Sequence, residues 1–208
     1  PKEDGRFIAG TGHFVADINR PGMLHVALVT SPYPAARITS IKTADAMAAP
    51  GVIDILTGDT LASGVNPLSN SVDTPGVRCY PLAHEVVRYA GEWVVAVIAG
   101  SRALAEDAAE LIEINYSSLD HVIDAERALD PASPPVHEGH GSNILYQRTF
   151  TWGPVAEDFA SQPNQLSFKL RWGRSAPVPV ETFGVVAEWN LGTEILDVWS
   201  SIQMPSYA

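Results

Sequence analysis

The chain contains one cysteine, Cys79, and that scarcity excludes two broad classes at once. No disulfide can form within the chain, so it is not a small secreted scaffold held together by disulfides. One thiol also cannot hold an iron–sulfur cluster, which takes about four cysteine ligands. Basic residues are scarce as well, with 13 Lys and Arg against 24 Asp and Glu and a formal net charge of -11. Nucleic acid and anionic membrane surfaces are therefore poor partners, because phosphate contacts need clustered cations. Long apolar runs are missing. The clearest one, Trp93 to Ala99, falls far short of the roughly 20 residues that span a bilayer. The opening Pro1-Lys2-Glu3-Asp4-Gly5-Arg6 carries no apolar signal-peptide core, and its lack of a methionine leads us to expect a stretch of a longer protein.

The rest of the composition is that of a folded globular protein. With 46% hydrophobic and 18% charged residues, the chain has the apolar content to offset ordering entropy. Its 208 residues suit one large domain or two small ones.

Local patterning predicts strands at Met23 to Thr30, Arg37 to Ile41 and Val52 to Leu56, with a short Ala-rich helix over Thr43 to Ala49 stopped by Pro50-Gly51. Ala62 to Pro81 reads as a long loop. Val86 to Ala99 reads as strand–turn–strand around Gly91-Glu92, and its second strand is apolar enough to be buried on both faces. Ser101 is a good N-cap for a helix over Arg102 to Glu113, with Leu104, Ala108, Leu111 and Ile112 on its inner stripe. Glu113 to Tyr116 leads into another strand, and an acidic helical turn follows at Asp124 to Leu129. Asp130 to Asn143 is rich in Pro and Gly and reads as a linker. Asn143 to Leu170 gives no clear pattern. Val178 to Gly192 and Glu194 to Ser201 read as a β-hairpin turning at Leu191-Gly192-Thr193.

Few residues form a motif that chemistry requires. His137-Glu138-Gly139-His140 misses the H-e-x-x-H spacing that puts two histidines on one helix face, and the surrounding prolines and glycines disfavour a helix. It reads as linker. Gly10-Thr11-Gly12 lacks the third glycine of a dinucleotide loop, since Val15 stands there, and reads as a glycine turn. Neither a nucleophile elbow nor a phosphate-binding P-loop is present. Glu106, Asp107 and Glu110 read as the solvated face of a helix. Cys79 reads as an incidental loop thiol.

Five stretches, in order, resemble the large subunit of the molybdenum hydroxylases, the family of xanthine dehydrogenases, aldehyde oxidases and aerobic carbon monoxide dehydrogenases. They are Gly10 to Asp17 with Pro21 to His25; Ser31-Pro32 with Ala36-Arg37-Ile38; Pro50 to Thr57; Val87 to Ala99 running into Ala105 to Glu110 and Tyr116; and Pro179-Val180-Glu181 with Gly184 to Ala187 and Val198 to Pro205. Two departures stand out. Tyr33-Pro34-Ala35 lacks the family's usual histidine, and Trp93 replaces its usual proline.

The resemblance implies an α/β (α+β) fold. Residues 1–130 would form an α/β-hammerhead domain, 131–170 a connecting segment, and 171–208 the incomplete start of the first molybdenum-cofactor-binding domain. It implies oxidation of a C–H bond of an N-heterocycle or aldehyde with water as oxygen donor, electrons passing through [2Fe-2S] clusters to FAD. The catalytic glutamate and the pterin-holding loops are expected beyond Ala208, so this stretch alone should be inactive. One site residue carries over: Gln203, of the segment Gln203-Met204-Pro205, whose side-chain amide donates a hydrogen bond to an oxygen ligand of the metal. A neutral amide can steady negative charge there without adding a titrating group. From spacing alone, Gln203 would read as a glutamine capping a strand end. Glu181 has no catalytic role to carry over and reads as structural.

The expected cofactor is molybdopterin with molybdenum, in its cytosine dinucleotide form. Expected partners are a small iron–sulfur subunit, a medium FAD subunit and the remainder of the large subunit, in a cytoplasmic dimer of heterotrimers acting on a small-molecule substrate. Two alternatives stay open: a non-catalytic binding or assembly module on the same fold, and the carbon monoxide dehydrogenase branch.

Overall fold

A computed structural model of the chain describes residues 4–68, 74, 76–173, 175–176 and 178–204. It forms two compact units. One runs from Gly22 to Trp152, and the other joins Pro1–Pro21 to Gly153–Ala208.

The Gly22–Trp152 unit is built from two three-stranded antiparallel sheets. Its strands are β1 (His25–Thr30), β2 (Ala36–Lys42), β3 (Val52–Thr57), β4 (Val86–Val87), β5 (Trp93–Ala99) and β6 (Glu113–Ser118). The sheet orders are β1-β5-β3 and β4-β2-β6. The apolar run of β5 explains its central place. Val94, Val95 and Val97 are fully buried, which an edge strand with one wet face would not allow. On one side β5 pairs with β1, placing Val29 opposite Val95 and Ala27 opposite Val97. On the other it pairs with β3, placing Ile55 opposite Val97. Ile55, Ala83, Val87 and Ala108 complete the core, with Ile38, Ile41 and Ile114 packed against it.

The helix after β5 starts as its cap predicts, with the Ser101 hydroxyl accepting from the Leu104 N–H at 3.3 Å. It ends at Ala109, earlier than the periodicity suggests, and it buries Ala105 and Ala108. Leu111, placed on the inner stripe by its spacing, is 46% exposed. The reason is topological: β6 must begin by Glu113 to pair with Lys42 of β2, so the chain leaves the helix a turn sooner. A short helix at Gly58–Ala62, capped by Thr57, precedes the predicted loop.

The proline-rich stretch from Asp130 to Asn143 is tied down through one side chain. The Asn143 amide donates to the carbonyls of Ala128 and Pro134, at 3.3 and 3.1 Å. Its oxygen accepts from the Val136 N–H at 2.8 Å. The glycines make close backbone approaches. A Cβ on Gly76 would lie 2.1 Å from the Gly139 carbonyl oxygen, which leaves no room for a side chain where the two loops meet.

The second unit contains a short helix at Asp4–Ile8, a 3-10 turn at Val15–Asp17, a helix at Val155–Ser161 and a hairpin of β7 (Val185–Asn190) and β8 (Ile195–Ser200). The Asn190 side chain shapes the hairpin turn, accepting from Gly192 N–H at 2.9 Å and Thr193 N–H at 3.2 Å. Residues up to Pro21, which the sequence groups with the hammerhead stretch, make their contacts in this unit.

Gly58 supplies a direct test of the packing. A Cβ there would meet the Ala83 carbonyl oxygen at 2.0 Å, and backbone cannot move aside cheaply. We expect Gly58→Ala to lower stability by about 1–3 kcal/mol, read as a lower urea midpoint. An unchanged midpoint would show that the two backbones are not in contact.

Candidate functional site

Gln203 lies just past the end of β8, whose ladder closes with Val185 opposite Ser200. Its side chain is exposed, and no hydrogen-bond partner for its amide is found among the described residues. Pro205, the last residue of the Gln203-Met204-Pro205 segment, lies outside the described residues.

The backbone leading to Gln203 is fixed at Ser201. The Ser201 N–H donates to the Gly184 carbonyl at 3.1 Å. Its hydroxyl donates to the Thr182 carbonyl at 2.9 Å and accepts from the Gly184 N–H at 2.9 Å. The 182–184 loop is held in turn by its neighbour. A Glu181 carboxylate oxygen accepts from the Val15 N–H at 2.7 Å, across 166 positions of sequence. The adjacent Phe14 N–H donates to the Asp17 carboxylate at 2.9 Å. Carboxylates thus satisfy two backbone donors at the start of the 3-10 turn, in charge-assisted hydrogen bonds. Val15 also lies against Gly184, where a Cβ would sit 3.3 Å from its Cγ1. At the hairpin, the Arg20 guanidinium stacks 4.7 Å above the Trp199 ring and pairs with Glu188 at 3.5 Å. That ion pair is half exposed and contributes little by itself.

These contacts join two motifs that lie at opposite ends of the sequence. Gly10 to Asp17 and Pro179 to Gly184 look unrelated in the linear chain, yet they share the Glu181–Val15 bond. By sequence alone Glu181 reads as structural and nothing marks out Ser201. The one available signal was that both fall inside the resembling segments.

The other candidates lie elsewhere. Among the described residues, no three His, Cys, Asp or Glu side chains converge as a metal site. His137 lines a cleft of about 490 Å³ in the Gly22–Trp152 unit, together with Arg37, Arg78 and Arg88. Glu85, Asp120 and Glu138 line the same cleft, so its formal charges balance and neither sign of ligand is favoured. The His140 ring meets the Ile144 carbonyl at 2.9 Å. Gly10 takes a positive φ of 69° at the end of the first short helix, a turn role. Glu106 pairs with Arg102 at 2.7 Å on an exposed helix face. Cys79 is half-buried.

A neutral, exposed amide on an anchored backbone can donate a hydrogen bond to a charged centre without itself titrating. In donor chemistry, the residues present therefore fit a molybdenum–pterin group approaching Gln203.

Comparisons with known proteins bear on both halves of the chain. Residues 9–120 match the "aldehyde oxidase and xanthine dehydrogenase, a/b hammerhead domain". Residues 136–208 match the "molybdopterin cofactor-binding domain". The chain is 34% identical to the nicotine 6-hydroxylase large subunit of Paenarthrobacter nicotinovorans, over 99% of its own length and 25% of the relative's. It is 37% identical to the carbon monoxide dehydrogenase large chain of Hydrogenophaga pseudoflava, over 91% of its length and 25% of the relative's. Among solved structures, quinoline 2-oxidoreductase from Pseudomonas putida 86 matches with a TM-score of 0.88 and 36% identity, over 99% of this chain and 26% of that one. The chain therefore spans about a quarter of the length of the relatives it matches.

His137 gives a pH test of the cleft. Burial lowers its pKa, and the nearby Arg88 and His140 charges lower it further. The folded state then resists protonation while the unfolded chain takes up a proton near pH 6.5. Stability should hold above that pH and fall as the pH drops through the window down to the folded-state pKa. Urea melts between pH 5 and 7.5 should show a shallower acid-side loss for His137→Gln. Parallel curves for variant and parent would remove His137 from the account.

Proposed function

Because the chain belongs to the aldehyde oxidase and xanthine dehydrogenase family, we propose that it is part of the large, molybdopterin-binding subunit of a working molybdenum hydroxylase. The observation that carries this reading is the exposed amide of Gln203, set just beyond the anchored Ser201. When bound, the molybdenum–pterin group supplies the redox chemistry that oxidises a substrate C–H bond with water as the oxygen donor. Gln203 offers its Nε2–H to that group and stays neutral as charge develops. Ser201 and the β7–β8 ladder hold the backbone from which the amide reaches.

We favour an N-heterocycle as the substrate class. Nicotine and quinoline are both N-heterocycles, and they name two of the proteins to which this chain is similar. The 37% identity to a carbon monoxide dehydrogenase large chain supports that branch as the second reading. A cytosine-dinucleotide pterin, a small [2Fe-2S] subunit, a medium FAD subunit and a cytoplasmic dimer of heterotrimers complete the proposal. With a lone cysteine, this stretch cannot itself hold the clusters. The hammerhead domain over 1–130, the connecting segment over 131–170 and a cofactor-binding domain starting at 171 belong to the same reading.

The first experiment is metal analysis of the native complex, with a gel of its subunits and a turnover screen of N-heterocycles, aldehydes and carbon monoxide. Molybdenum with iron, three subunit sizes and oxidation of an N-heterocycle are the expected outcome. Gln203→Ala should keep the molybdenum and lose about 100-fold in kcat, the cost of removing one preorganised donor. A matured preparation from the native host without molybdenum would sink the catalytic reading.

A further inference from the structure

Gln203 can serve as a donor only if its backbone is held in place, and the structure shows what holds it. Beyond Ser200, β8 has no further ladder partner in β7. The chain is fixed instead at Ser201, by the two bonds of its hydroxyl and by its N–H to Gly184. Those bonds end on residues 182 and 184, in a loop that is tied in turn at Glu181. The tie leads to Val15, so the first residues of the chain reach the amide through three links: Val15 to Glu181, the 182–184 loop to Ser201, and Ser201 to Gln203.

We infer that Glu181 and Ser201 are positioning residues for Gln203, and that the segment around Val15 is a working part of the site. The inference rests on the reading of Gln203 given above. A carboxylate is suited to this task. Its charge-assisted bond to a backbone N–H is about twice as strong as a neutral one, and the Val15 N–H has no other partner among the described residues. Displacing a reacting group by about 1 Å can cost around 100-fold in rate. A loosened loop therefore acts on turnover before it acts on folding.

The test uses the full holoenzyme complex from the native host, with Glu181→Ala, Glu181→Gln, Ser201→Ala, Gln203→Ala and the double variant Glu181→Ala/Gln203→Ala. Molybdenum content, the Mo(V) electron paramagnetic resonance signal, kcat and KM are read on each. We expect Glu181→Ala and Ser201→Ala to retain molybdenum and KM, and to lose about 10-fold in kcat. Their Mo(V) signal should move toward that of Gln203→Ala. Glu181→Gln keeps an oxygen to accept from Val15 and should recover most of the activity. The double variant should be no worse than Gln203→Ala alone, because both changes act through one amide. Multiplying losses in the double variant would overturn the inference, as would a kcat loss with an unmoved signal. Loss of molybdenum in both Glu181→Ala and Ser201→Ala would also overturn it, since these residues would then be structural. If Glu181→Ala alone loses the metal, Ser201→Ala decides by the same signal. A silent Gln203→Ala is a different failure: it removes the role of Gln203 itself.

Discussion

A strand buried on both faces must find hydrogen-bond partners along both edges, and β5 sets that demand at the centre of the Gly22–Trp152 unit. Its fully buried valines leave no face for water. β1 and β3 meet the demand from either side, and the turns between them follow from it. The early end of the helix at Ala109 is one such consequence. The chain must be back beside β2 by Glu113, and helical periodicity yields to that deadline. The close approach of Gly58 to the Ala83 carbonyl is another, since β3 has only just ended when the chain turns away.

In the other unit, the organising interactions are polar. Asp17 and Glu181 satisfy neighbouring backbone donors, and Ser201 makes three bonds with one residue's worth of atoms. Few apolar side chains are buried here; Val186 is the one described hydrophobic residue that is nearly inaccessible. The hairpin's outer residues, Trp189, Leu196 and Val198, are each more than half exposed.

Much of the strand pattern was legible in the sequence. Period-two alternation, the apolar run of β5, the Ser101 cap and the turn at Leu191 to Thr193 are local signals, and each has a structural counterpart. The helix at Val155–Ser161 is only seven residues long, and although Val155 and Phe159 stand four apart, so short a segment gives periodicity little to mark. The order in the proline-rich stretch was hidden for another reason: it depends on which carbonyls one asparagine reaches, and composition says nothing about that. Gln203 is proposed from its surrounding motif, whereas Glu181 and Ser201 are proposed from partners that folding brings to them. A hydrogen bond spanning 166 positions leaves no trace in any local window.

That same bond has a consequence for synthesis. The Gly22–Trp152 unit is continuous in sequence, and its contacts can close as soon as it leaves the ribosome. Val15 must wait for Glu181, 166 residues later, which at ordinary elongation rates is on the order of ten to thirty seconds. During that interval the opening segment, with Phe7 and Phe14 still lacking the rest of their unit, is exposed to chaperones and proteases. Of the two partners in that bond, the one made earlier stays unmatched until the later one emerges.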